Sequence, residues 1–141
     1  MATTRTASTV WSGDLKSGSG ETAFESSGIG KQAVTWASRA EEPGGKTSPE
    51  ELIAAAHSSC FSMALSNGLT SAGTPPTRLT TKAEVTFQPG TGITGIHLTV
   101  RGEVEGVDEA AFTAAAEEAK ANCPVSQALS GTTITLTADL A

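Results

Sequence analysis

The stretch from Ser48 to Gly68, SPEELIAAAHSSCFSMALSNG, constrains the fold of this chain more than any other. It begins as a helix should. Ser48 can cap, Pro49 suits the first helical position, and Glu51 stands three residues after Ser48, so the pair spells a capping box. Leu52, Ile53, Ala54, Ala55, Ala56, Phe61, Met63, Ala64 and Leu65 then cover nearly every side, with Gly68 or Gly73 as a stop. A helix apolar almost all round belongs at the centre of a fold or in an interface between chains. This one also carries Cys60, one of only 2 cysteines in the sequence.

The flanking segments indicate what surrounds that helix. Upstream, STVWSGDLKSGSGETAFES reads as two short strands about a Gly/Ser turn, KQAVTWAS as a third strand, and RAEEPGGKT as a charged loop. Downstream, TTKAEVTF is a strand and GIHLTVRGEVEG a longer one. In the longer strand Ile96, Leu98, Val100, Gly102 and Val104 share one face, and His97, Thr99, Arg101 and Glu103 the other. Asp108 caps a helix, EAAFTAAAEEAKAN, that can line one side with Phe112, Ala116 and Ala119. CPVSQAL opens a short helix with Pro124 first, and TTITLTADLA ends the chain as an alternating strand. Three strands, a long helix, two strands, two helices and a strand predict an α+β fold with a mainly antiparallel sheet packed on helices. A length of 141 residues, 38% of them hydrophobic, suits a single domain spanning 1–141 with one core.

Charge and composition narrow the function. The formal net charge is −6, and the 9 basic residues are scattered, whereas a phosphate backbone needs clustered Lys and Arg; no nucleic-acid partner is expected. MATTRTASTVW lacks the apolar run of a signal peptide, and no stretch approaches the ~20 apolar residues of a membrane span. The expectation is a soluble, cytoplasmic protein without a membrane partner. In a reducing compartment two cysteines do not make a disulfide framework; they are passive thiols or redox groups.

Both cysteines keep two readings on residue type alone. Cys60 packs as well as any small apolar side chain, and free cysteine is often buried. Cys123 precedes Pro124, where a helix start would turn orphan N–H groups and the positive dipole end toward its sulfur and lower its pKa. Its polar neighbours suggest partial exposure, while the plain alternative is a cysteine that merely ends a helix. No CxxC or His/Cys cluster at metal-ligand spacing occurs, so no metal is expected, and neither GxSxG nor GxxxxGK[ST] is present. His57, three residues before Cys60, could form a Cys/His dyad or simply pack; His97 reads as solvated surface.

SPEELIAAAHSSCFSMAL together with ANCPVSQAL resembles the OsmC/Ohr family of organic-hydroperoxide reductases, and WSGDLKSGSG resembles its OsmC branch. The likeness covers essentially the whole chain. It implies an intertwined homodimer, with antiparallel sheets wrapped around two long central helices. It also implies a thiol peroxidase of oxidative and osmotic stress that uses no cofactor. Transferred by motif, Cys60 attacks the peroxide and becomes a sulfenic acid, Cys123 condenses with it to a disulfide, and an external dithiol of dihydrolipoyl type, or a small thiol, reduces that bond. The family's glutamate ten residues before the peroxidatic cysteine corresponds to Glu50, leaving Glu51 for the capping box. The family arginine corresponds to Arg39 in WASRAEEPGG.

These residue types suit the chemistry the resemblance implies. Only a thiolate attacks the O–O bond, so a cation must lie near Cys60, and Arg39 could both lower its pKa and donate hydrogen bonds to the peroxide oxygens. Glu50 would hold the guanidinium by a bidentate pair. On one helix, however, Glu50 and Cys60 stand ~15 Å apart along the axis and face directions roughly 80° apart. A single arginine can hardly serve both within one chain, so Glu50 of one chain is expected to serve Cys60 of another across a homodimer. Two other classes stay in view: a non-catalytic binder of apolar small molecules at the dimer cleft, and a Cys/His hydrolase using His57.

Overall fold

The structure, a computed structural model, describes residues 1–141 and is of the α+β class. Three strands open the chain, β1 (Ser8–Ser12), β2 (Ser19–Ala23) and β3 (Lys31–Val34), followed by helices α1 (Trp36–Ala40) and α2 (Pro49–Ser71). Strands β4 (Arg78–Gln88) and β5 (Gly92–Glu103), helices α3 (Glu109–Asn122) and α4 (Pro124–Ala128), and strand β6 (Ile134–Leu140) complete it. The chain forms two compact units, residues 1–52 and 53–141.

The first unit is a three-stranded antiparallel sheet in the order β1-β2-β3, with Thr9 opposite Thr22 and Gly20 opposite Val34. None of its apolar side chains is buried, and Val10 and Ile29 stand 73% and 77% exposed. Helix α1 was not foreseen: the sequence reads as strand into charged loop here. Thr35 and Ser38 form a reciprocal capping box that closes a single turn of helix, which outweighs the β-propensity of the residues before it.

The second unit holds the core. Phe61, Leu65 and Leu69 of α2 recur at helical spacing, and with Ile96, Leu98 and Val100 of β5 and Phe112, Ala116 and Ala119 of α3 they form one buried cluster. The predicted faces of β5 and α3 are those observed, and the side chain of Asp108 caps α3 by accepting from the Ala111 N–H at 2.8 Å. Strand β5 is central, antiparallel to β4 but parallel to β6, the one parallel strand pairing in an arrangement that is, as expected, mainly antiparallel. The reason lies in the connection: α3 and α4 carry the chain back across the sheet, and a crossover of that length is what a parallel neighbour requires.

Both ends of α2 refine the sequence reading. The Ser48 hydroxyl accepts from the Glu51 N–H at 3.1 Å, but the Glu51 carboxylate takes the Thr47 hydroxyl, so only half of the capping box forms. The helix runs through Gly68 and stops at Gly73, whose φ of +87° only glycine adopts easily. Thr74 N–H reaches the Leu69 carbonyl at 2.9 Å and Gly73 N–H that of Thr70 at 3.0 Å, a Schellman closure.

At Gly102 the backbone of β5 lies close against α3: a Cβ there would lie 2.5 Å from the Phe112 ring. Gly102→Ala is therefore expected to lower the unfolding free energy by about 1–3 kcal/mol through overpacking. Urea midpoints check this, and Gly102→Ala/Phe112→Leu is expected to recover part of the loss because the two substitutions share one contact.

Candidate active site

The first unit holds an ion pair that its local hydrogen bonding sets up. The Ser38 hydroxyl on α1 donates to the Thr47 carbonyl at 2.8 Å, and Thr47 N–H donates to the Ala33 carbonyl at 2.9 Å. The start of α2 is thereby held beside α1. Arg39, in the last turn of α1, then meets Glu50, in the first turn of α2, as a fork: Nε donates to Oε1 at 3.0 Å and an Nη atom to Oε2 at 2.9 Å. Glu50 is buried, whereas the guanidinium keeps about a third of its surface open. Such planar two-point pairing fixes the arginine head in direction as well as place.

Beside that pair is a cavity of about 440 Å³ whose walls include Trp11, Leu15, Val34, Trp36, Leu52 and Arg39. It is an apolar chamber with one cationic side chain at its wall. The sequence supplied no hint of which residues would line it, because they come from four separate elements and a turn.

In the second unit the two cysteines lie together as free thiols. Cys60 is partly exposed, whereas Cys123 is fully buried, the reverse of the partial exposure its polar neighbours suggested. The cause is periodicity: residues 112, 116, 119 and 123 fall on one face of α3, and Cys123 continues the buried stripe of Phe112, Ala116 and Ala119. That 3.6-residue repeat was available in the sequence and outweighs local polarity.

Burial pushes the Cys60 thiol above its ordinary pKa, and a hydrogen bond with Cys123 adds to the rise. A hydrogen bond from the Val125 N–H, in the first turn of α4, opposes it. The α4 amide thus acts on Cys60 instead of on the cysteine that caps the helix. No cation is among the groups acting on the sulfur within this chain.

His57, three residues before Cys60 on α2, is fully buried and makes its hydrogen bond to Ser126 Oγ at 2.7 Å, through Nε2. This removes the Cys/His dyad: the ring nitrogen that bonds is committed to a serine, and Nδ1 has no partner. His97 is more structural than expected, its two ring nitrogens bonding the Thr135 and Thr137 hydroxyls on β6 at 2.6 and 3.0 Å. Ser126 and the Val125 amide were missed by sequence reasoning, though the motif CPVS contains both.

With this geometry in place, comparison with known proteins is decisive. The family model described as OsmC-like protein matches residues 42–138. The chain belongs to the OsmC-like protein family. Within it, the chain is 44% identical over 122 residues to Peroxiredoxin OsmC of Escherichia coli (strain K12), covering 84% of this chain and 85% of that one. Among solved structures, this OsmC-like fold resembles the organic hydroperoxide resistance protein OhrB of Bacillus subtilis, with a TM-score of 0.72 at 21% identity over 96% of this chain and 98% of that one. It also resembles an OsmC like protein from Mycoplasma pneumoniae, with a TM-score of 0.75 at 12% identity over 99% of each chain. No helix of this OsmC-like chain is long and apolar enough to cross a membrane.

Burial also holds the His57 imidazole below its ordinary value of 6.5, so the folded state favours the neutral ring. The unfolded chain binds the proton first as pH falls, so stability is expected to drop on acidification from that value toward the lower folded one and to stay level above it. His57→Gln is expected to flatten this part of the profile, checked by urea midpoints at about pH 7.5 and 5.5.

Proposed function

We propose that this cysteine-based peroxidase reduces organic hydroperoxides in preference to hydrogen peroxide through Cys60 and Cys123. The peroxidase class follows from the 44% identity to Peroxiredoxin OsmC over most of the chain. The observation that carries the residue assignment is the pairing of the more accessible thiol, Cys60, with a fully buried second thiol that hydrogen-bonds to it.

The Cys60 thiolate attacks the outer peroxide oxygen, the O–O bond breaks, and the alkoxide leaves and takes up a proton to become the alcohol. Cys60 is then a sulfenic acid, oxidised by two electrons. The Cys123 sulfur attacks the Cys60 sulfur, forming the disulfide and expelling water, which protects Cys60 from further oxidation. An external dithiol, of dihydrolipoyl type, reduces the disulfide and itself ends as a cyclic disulfide, returning both cysteines to thiols.

The first step needs a thiolate, and the groups acting on Cys60 within one chain favour the thiol. In our reading the missing cation is Arg39 of a second copy, held by Glu50 of that copy, in a homodimer with shared sites. The axial separation of Glu50 and Cys60 on one helix supports this, as do the unburied apolar residues of the first sheet, including Val10 and Ile29. The apolar chamber beside Arg39 supports an organic substrate, since its Trp and Leu walls would take up an alkyl or aryl group and gain nothing from hydrogen peroxide.

Cys60→Ser is expected to abolish turnover of cumene hydroperoxide with a dithiol, and Cys123→Ser to consume one equivalent and stop at the sulfenic acid, read by non-reducing mass spectrometry. Unaffected turnover in both variants would overturn the assignment. Sharing of the site has its own check. When Arg39→Ala and Cys60→Ser chains are refolded together, mixed dimers hold one intact shared site, so roughly a quarter of wild-type activity is expected from two inactive parents. Sites confined to one chain would give none.

A further inference from the structure

The His57–Ser126 hydrogen bond has no part in the peroxide chemistry above, yet it lies beside both cysteines in sequence and space. His57 and Cys60 are three residues apart on α2 and so share a face of that helix. Ser126 is three residues after Cys123 and one after Val125, on the first turn of α4. The 2.7 Å bond ties a side chain of α4 directly to α2 across 69 residues of sequence. Both partners are buried, His57 fully. The turn that it secures is the one whose amide and cysteine both act on the Cys60 thiol.

We propose that His57 and Ser126 are positioning residues: a neutral hydrogen-bonded clasp that holds the first turn of α4 against α2, so that Cys123 is placed to resolve oxidised Cys60. The orphaned His57 Nδ1 indicates the tautomer. A buried N–H without an acceptor is rarer and costlier than an unused lone pair, so the proton belongs on Nε2, which donates to Ser126 Oγ. The bond is directional, unlike the apolar packing of Val125 and Leu129 around it. Packing alone lets a five-residue helix slide or rotate by fractions of an ångström. Neighbouring sulfurs must close to about 2.05 Å with a narrow torsion to form a disulfide, and errors near 1 Å in a reacting geometry cost on the order of 100-fold.

This inference rests on Cys123 being the resolving thiol, and the experiment separates the two. In rapid-quench mass spectrometry with cumene hydroperoxide, the rate of Cys60 oxidation and the rate of disulfide formation are read separately. The sulfinic acid formed per turnover is the third readout. For Ser126→Ala and His57→Leu, Cys60 oxidation is expected to fall only a few-fold, through loosening of the Val125 amide at the Cys60 sulfur, because neither residue touches the peroxide in this reading. Disulfide formation is expected to slow on the order of 10–100-fold, with sulfinic acid rising in proportion. His57→Gln, which can still donate to Ser126, is expected to restore the wild-type rate. The double variant His57→Leu/Ser126→Ala removes both polar partners together, so it should recover most of the stability lost in the single variants but none of the resolving rate. Wild-type resolution in that double variant, or in Ser126→Ala, would overturn the clasp. Failure of the unmodified protein to form a Cys60–Cys123 bond at all would overturn the resolving role itself.

Discussion

A thiol among apolar side chains does not give up its proton readily, and the arrangement around Cys60 is organised by that constraint. Burial and the neighbouring Cys123 both favour the neutral thiol, while one backbone amide, that of Val125, favours the thiolate. A single neutral donor does not offset desolvation of an anion, whereas a guanidinium can. The charged equipment exists in this chain, pre-assembled as the Arg39–Glu50 fork on the first unit. Keeping cation and thiol on separate units has a physical merit. In the shared-site reading proposed above, the arginine head is already oriented by its carboxylate before it would meet the sulfur, so little side-chain entropy would be lost.

The same separation explains how apolar surface is distributed. The second unit buries a conventional core of α2, β5 and α3 side chains. The first buries only Thr22, Ser38, Thr47 and Glu50, all polar, and its tryptophans and leucines line an open chamber instead. A sheet of three short strands with so little buried apolar area is marginal in water by itself. In the dimeric reading its exposed residues are interface residues, and the chamber forms part of the path by which an organic peroxide reaches Arg39.

Much of the framework is legible in the sequence because the relevant signals are periodic. Alternation along residues 96–102 and the 112, 116, 119 repeat define the faces of β5 and α3, and the Asp108 cap and Pro124 at the first helical position define where helices begin. Signals that depend on competition between groups read less well. Glu51 chose the Thr47 hydroxyl over the Ser48 amide, and a two-residue capping box at Thr35 and Ser38 made a helix where composition suggested strand and loop. Cys123 misleads when judged by its neighbours and reads correctly when judged by helical phase. The His57–Ser126 bond was out of reach, since a pairing across 69 residues leaves no local trace.

The parallel pairing of β6 with β5 has a consequence for the life of the chain before it is complete. Cys123 lies on the crossover that leads to β6, and that crossover is closed only when β6 docks along β5 from Ile134 to Leu140. Synthesis delivers α2 and its Cys60 much earlier. In the mechanism proposed for this chain, a nascent chain without the last strand carries the peroxide-reactive thiol while the unit that positions its resolving partner is still incomplete. On that reading redox protection is acquired late in folding, and a chain stalled short of β6 would be open to the peroxides that the finished protein removes.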